Sequence, residues 1–290
     1  MSTTTRISNK YLSVEVSELG AEMQSLQTAD GRSWLWNGDA AFWTGRSPIL
    51  FPIVGKAPDN KVSIEGNQYE LAQHGFARRS TFVLDESDES MCRFVLSSSD
   101  ATRSVYPFEF SLAVTHRLDG ARLSVEAQVR NLDARPMPFG LGFHPAFLWP
   151  LPGAEGHEHR IVLDNGGEPR LAHLADGLLT GDLQASPFQA GRLVLAHSLF
   201  DADALIFPQD AGEGLRYEAE GGPQLKFTFQ NLPNIALWSK PGNAPFLCVE
   251  PWHGTAAEAG KGDAITARPF TNLLAPGETE QFGFTVAIEG

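Results

Sequence analysis

Phe108-Glu-Phe-Ser-Leu-Ala-Val-Thr-His-Arg-Leu-Asp-Gly-Ala-Arg-Leu-Ser-Val-Glu-Ala-Gln-Val129 is the stretch that decides the fold. Apolar residues occupy nearly every second position on either side of Asp119-Gly120, the spacing of two half-buried antiparallel strands joined by a tight turn. The same alternation recurs in Tyr11-Leu-Ser-Val-Glu-Val16, Arg93-Phe-Val-Leu96 and Gln224-Leu-Lys-Phe-Thr-Phe229. Turn signals stand between such segments at Asp30-Gly31, Asn37-Gly38, Asn165-Gly166-Gly167, Gly221-Gly222-Pro223 and Pro276-Gly277. Helical spacing is confined to short segments near 39–43 and 171–179, and the Gly-, His- and Glu-containing passage 150–169 reads as a long surface excursion. No linker, compositional break or fixed repeat interrupts the series. The expectation is an all-β chain with few short helices, forming one antiparallel sandwich domain over residues 1–290.

Composition bounds what this body does. With 290 residues and 42% hydrophobic content the chain has enough apolar surface for a large core. Its 35 acidic residues against 22 Lys and Arg give a net charge of -13, which opposes attraction to nucleic acid or an anionic membrane and favours a small-molecule partner. Two cysteines, Cys92 and Cys248, are too few for a disulfide framework or a Cys-based zinc motif, which points to a reducing compartment. No apolar run approaches the ~18 residues of a membrane span, and the start lacks a signal-peptide core, so a cytoplasmic protein, monomer or homodimer, is expected.

Three segments place titratable groups among aromatic, Gly and Pro residues: Gln73-His-Gly-Phe-Ala-Arg78, Gly142-Phe-His-Pro-Ala-Phe147 and Cys248-Val-Glu-Pro-Trp-His253. Two imidazoles and a carboxylate beside flat rings suit proton exchange with a polyol whose carbon face stacks on an aromatic. Glu250 ends an apolar strand, where partial burial raises carboxylate basicity; the plainer reading is a strand-end hydrogen bond. His144 titrates in the useful range, and for a lone histidine a core position is the ordinary alternative. His74 precedes Gly75, which lets backbone approach the ring. Arg46 and Arg78 lie in an early basic stretch with Lys56 and Arg79, equally consistent with a phosphate site and with solvated surface. Asp203 opens an apolar strand and Asp201 competes with it as a hydroxyl ligand. Trp252, Trp43 and Trp238 are candidate stacking platforms. His157-Glu158-His159 has the look of a ligand pair, but its neighbours suggest exposed loop. No P-loop, nucleophile elbow, dinucleotide fingerprint or H-E-x-x-H motif occurs.

In order, Gly45-Arg-Ser-Pro-Ile-Leu-Phe-Pro-Ile-Val-Gly-Lys56, Gln73–Arg78, Gly142–Phe147, Leu199-Phe-Asp-Ala-Asp-Ala-Leu-Ile-Phe207, Leu237-Trp-Ser-Lys-Pro-Gly242 and Cys248–Trp252 resemble the aldose 1-epimerase (galactose mutarotase) superfamily, in its LacX-like branch. The resemblance implies a galactose mutarotase-like β supersandwich and interconversion of the α and β anomers of a hexose or hexose 6-phosphate. It implies Glu250 as the base at the anomeric hydroxyl, His144 as the acid at the ring oxygen and His74 as a hydrogen-bonding partner near that centre. Arg46 and Asp203 match hydroxyl-holding positions, and Arg78 matches an arginine used by a sister branch acting on hexose 6-phosphates. No cofactor and no metal is implied. The alternative within the same resemblance is a non-catalytic carbohydrate-binding protein on this scaffold.

Overall fold

The computed structural model describes residues 3–289. Nine strands form one sheet in the order Arg192–Val194, His159–Leu163, Gly214–Ala219, Gln224–Gln230, Thr279–Glu289, Arg122–Asn131, Phe110–Asp119, Met91–Ser97 and Val83–Ser87. A second sheet runs Leu178–Gln184, Leu171–Ala175, Leu205–Pro208, Asn234–Trp238, Phe246–His253, Leu141–Phe143 and Ile49–Leu50, with Ala146–Leu148 also paired to Phe246–His253. Thr4–Ser8, Leu12–Ser17 and Met23–Thr28 make a smaller sheet. Among the described residues helix is limited to Asp100–Arg103, capped at Ser99, and to four short 3-10 turns. The all-β architecture expected from the alternation is what the chain adopts.

The Asp119-Gly120 hairpin forms as read, with Arg122 opposite Asp119 and the ladder continuing to Asn131 opposite Phe110. Leu112, Val114 and Leu118 of one strand, with Leu123, Val125, Ala127 and Val129 of the other, point into one large apolar cluster. The facing sheet supplies Leu205, Phe207, Ile235, Leu237, Leu247 and Val249 to the same cluster. Burial of this apolar surface, at roughly 25 cal/mol per Å², is the force that clamps the two sheets together.

Two local expectations are corrected. Residues 171–179 are not helical: Leu171–Ala175 and Leu178–Gln184 are a strand pair, with Leu174 opposite Leu179. Asp176 and Gly177 both carry positive φ (51° and 79°), the geometry of a tight hairpin turn. Passage 150–169 is not wholly a surface excursion either, since His159–Leu163 is a strand between Arg192–Val194 and Gly214–Ala219. Near residue 40 the chain makes a single turn, with the amides of Phe42 and Trp43 both donating to the Asp39 carbonyl.

Candidate active site

The strand Phe246-Leu-Cys-Val-Glu-Pro-Trp-His253 carries the logic of the site. Leu247 and Val249 enter the inter-sheet core, so the period of two turns Phe246, Cys248, Glu250 and Trp252 to the other face of the sheet. On the neighbouring strand Ala236 lies opposite Glu250, between Trp238 opposite Cys248 and Asn234 opposite Trp252. A methyl group beside the carboxylate leaves room that a larger residue would fill.

Register also delivers the histidine. Gly142 pairs with Trp252 and Ala146 pairs with Cys248, so residue 144 falls at the level of Glu250. Pro145 interrupts the ladder there, and His144 Nε2 lies 3.2 Å from Glu250 Oε2. A Cβ at Gly142 would stand 2.4 Å from Trp252 Cδ1, so only glycine lets the indole lie against this backbone. Trp43 lies against the His144 ring, tilted by 30° with centroids 4.9 Å apart, and Trp238 meets the same ring edge-on.

His74 reaches the site from a left-handed backbone (φ 67°) followed by Gly75 (φ 69°). A Cβ on Gly75 would approach the Phe51 carbonyl oxygen to 2.2 Å, so the sequence His-Gly is what allows this close passage. The Gly55 amide donates to His74 Nδ1 at 3.1 Å. A neutral ring that accepts at Nδ1 carries its proton on Nε2; the Gln73 side-chain nitrogen 3.3 Å away is itself a donor, so it offers that proton no acceptor and leaves it for a ligand oxygen. His74 is thereby fixed as a donor through Nε2, and its ring meets that of His144 edge-on, with centroids 5.9 Å apart. Arg268 holds the supporting segment from beneath: its guanidinium donates to the carbonyls of Val54 (2.7 Å), Thr255 (3.0 Å) and Lys56 (3.2 Å).

These groups open onto a cavity of about 250 Å³ lined by Trp43, Gln73, His74, Arg78, His144, Asp203, Trp238, Glu250 and Trp252, among others. That is below the ~300–1,000 Å³ of drug-sized ligand sites and matches a single sugar ring better than an extended glycan. Glu250 is 2% exposed and His144 8%. Burial, helped by the Asp203 carboxylate, pushes the Glu250 carboxyl well above its ordinary range. Burial pulls His144 down to about 3, and burial together with the neighbouring His144 and Arg78 lowers His74 well below 6.5. Desolvation therefore works against an ion pair at the 3.2 Å contact and favours an uncharged His144–Glu250 pair. Arg78 Nε and Trp252 Nε1 are buried donors without a hydrogen-bond partner among the described residues, and polar ligand oxygens would satisfy them.

Of the residues singled out from sequence, Glu250, His144, His74, Arg78, Asp203 and Trp252 border this one cavity, as do the stacking candidates Trp43 and Trp238. Arg46 does not: its Nη1 donates to the Gln24 carbonyl at 2.5 Å, and its backbone amide bonds Glu22, which turns it toward the small sheet. Asp201 ends the turn His197–Phe200, whereas Asp203, at φ 99°, lines the cavity. The His157-x-His159 pair is structural, because His159 accepts from the Leu151 amide at Nε2 and contacts the His157 carbonyl through Nδ1. Gln73 and Arg268 went unassigned in the sequence. Gln73 was visible beside His74, but a lone Arg268 outside the aromatic segments gives no signal.

Comparison with known proteins places this geometry in context. The sequence pattern of the family described as Aldose 1-epimerase matches residues 3–267. The chromosomal Protein LacX of Lactococcus lactis subsp. lactis is 30% identical over 302 residues, covering 98% of this chain and 99% of that protein. The galactose mutarotase related enzyme from Lactobacillus acidophilus superposes with a TM-score of 0.94 at 27% identity, covering 99% of this chain and 98% of that one. A galactose mutarotase-like protein from Lactobacillus casei gives 0.93 at 29% identity, over 99% and 100% of the two chains.

Proposed function

Because this chain belongs to the aldose 1-epimerase family, we propose that it interconverts the α and β anomers of a hexose, with Glu250 and His144 moving the protons. Glu250 takes the proton of the anomeric hydroxyl while His144 protonates the ring oxygen, and the C1–O5 bond opens to the aldehyde. Rotation about C1–C2 exposes the other face, and closure runs both transfers backwards. The uncharged pair first shifts its proton from Glu250 to His144 across the 3.2 Å contact; opening then moves one proton onto the carboxylate and one off the imidazolium, and closure restores both. No redox partner enters the balance.

The observation that carries this reading is the 3.2 Å approach of His144 Nε2 to Glu250 Oε2 at the wall of a sugar-sized cavity. Both transfers occur at oxygens bonded to one carbon, so acid and base must be neighbours. The shifts have the useful direction: a carboxylate of raised pKa is a stronger base, and an imidazolium of lowered pKa is a stronger acid. His74, held as an Nε2 donor, supports a hydrogen bond to a sugar oxygen, while Trp252 and Trp43 offer apolar faces.

A second reading concerns substrate: Arg78 at the cavity wall, with Nη2 on the Gln73 carbonyl and Nε free, favours a sugar bearing a 6-phosphate. Exchange NMR of anomers, run on free and 6-phosphorylated hexoses, tests both readings. Accelerated exchange that falls by about 10²–10⁴ in Glu250→Gln supports the catalytic reading. Sugar binding without exchange by the wild type would replace it with a carbohydrate-binding role.

A further inference from the structure

Cys248 is on the same strand face as Glu250, two residues before it, and its cross-strand neighbour Ala146 is two residues from His144. One imidazole nitrogen of His144, the Cys248 sulfur and one carboxylate oxygen of Glu250 all lie within 4.8 Å of one another, and all three residues are buried. We propose that this trio is a binding site for a thiophilic divalent cation such as Zn²⁺, whose occupation blocks the proton-transfer pair and so switches the protein off.

The geometry is close to what such an ion demands. A tetrahedral zinc with nitrogen, oxygen and sulfur donors separates them by about 3.3–3.6 Å, given Zn–N and Zn–O near ~2.0 Å and Zn–S near ~2.3 Å. The His144–Glu250 contact of 3.2 Å is already at that spacing, so only the sulfur has to draw in, by at most about 1.3 Å. On binding, the Cys248 thiol proton and the proton of the uncharged Glu250 carboxyl both leave to solvent as the metal–sulfur and metal–oxygen bonds form. A doubly charged cation between one thiolate and one carboxylate leaves no net charge in a buried place, which removes the cost of ionised Glu250 standing alone. The Asp203 carboxylate, close enough to influence Glu250, adds to the attraction for a cation. His144 and Glu250 border the cavity, from which water or a sugar hydroxyl would take the fourth coordination position.

Packing limits what else Cys248 does. It sits among Trp36, Ala146, Ala244 and Phe246, it is fully buried, and it lines no part of the cavity wall. Its removal therefore leaves Glu250 and His144 in place. The inference depends on the proposed function only for its consequence on activity, so binding and inhibition are read separately.

The experiment titrates reduced full-length protein with Cd²⁺ and follows the thiolate-to-cadmium ultraviolet band, with Cys92→Ala and Cys248→Ala alongside. One equivalent with a band that persists in Cys92→Ala and disappears in Cys248→Ala is expected. In parallel, Zn²⁺ abolishes anomer exchange, a chelator restores it, and Cys248→Ala retains basal exchange with an inhibition constant raised about tenfold or more. No band in the wild type, or a band that survives in Cys248→Ala, overturns the site. A Cd²⁺ band in protein without exchange activity leaves the site standing and counts against the catalytic reading instead. Inhibition equal in wild type and Cys248→Ala would overturn the switch.

Discussion

His144→Asn removes one proton-binding site and keeps a polar side chain, and its effect on stability is dictated by burial. His144 titrates at about 3 rather than 6.5 because the folded protein surrounds it with apolar walls. Below pH ~6.5 the unfolded chain takes up a proton that the native ring refuses, so this group's contribution is complete above that value and is lost progressively as pH falls toward 3. Inside the window each pH unit costs about 1.4 kcal/mol, so the descent from pH ~6.5 to ~4.5 removes about 3 kcal/mol from the wild type through His144 alone. His116, buried and lowered to about 4, adds a parallel loss to wild type and variant alike and cancels in their difference. Urea unfolding of both proteins at half-unit steps across that range measures the gap. A constant offset above pH ~6.5 and a gap that shifts by about 3 kcal/mol in the variant's favour by pH ~4.5 are expected. Parallel stability curves, or a His144 ring resonance titrating near its ordinary value, would refute the burial argument.

Other perturbations test the supports of the site. Gly75→Ala adds a Cβ 2.2 Å from the Phe51 carbonyl oxygen at a φ of 69°. It is expected to destabilise by on the order of 3 kcal/mol and to displace His74, and wild-type melting would show that the approach is looser than described. Arg268→Met orphans the Val54 and Thr255 carbonyls and loosens the Gly55 amide that fixes His74. A loss of about 2–4 kcal/mol, with partial rescue by Arg268→Lys, is expected in denaturant titration, and no loss would remove Arg268 from the account. Arg78→Met is expected to raise KM for a 6-phosphorylated hexose and to leave a free hexose nearly unchanged; equal effects on both would assign Arg78 to hydroxyl recognition. The catalysed rate is expected to fall as pH rises through the raised Glu250 pKa, because the pair then loses the single proton that it passes to His144; a rate that keeps rising with pH through that range would contradict the shared-proton pair.

Much of this architecture is legible before any coordinates, because strand alternation is a local property: Phe110–Asp119 and Arg122–Asn131 declare both their faces and their turn. The strand Phe246–His253 is harder, since its outward face is also buried and the alternation of core and cleft vanishes into a continuous apolar run. Residues 171–179 mislead for a different reason. Leu171, Leu174 and Leu178 stand at helical spacing, while the positive φ at Asp176 and Gly177 makes a hairpin. Arg46 was drawn in by its basic side chain and motif, yet the direction of one long side chain depends on where Gln24 and Glu22 lie, which nearby residues do not specify. The approach of His144 to Glu250 rests on register across 106 positions of chain, set by the pairings of Gly142 and Ala146, and only the folded sheet displays it.

The most direct measurement is a crystal structure of Glu250→Gln soaked with the aldose that exchange NMR identifies. The account predicts the C1 hydroxyl within about 3.2 Å of the residue-250 side chain and the ring oxygen within about 3.2 Å of His144 Nε2, with the carbon face against an indole. A sugar seated with C1 turned away from both groups, or bound outside this cavity, would contradict it.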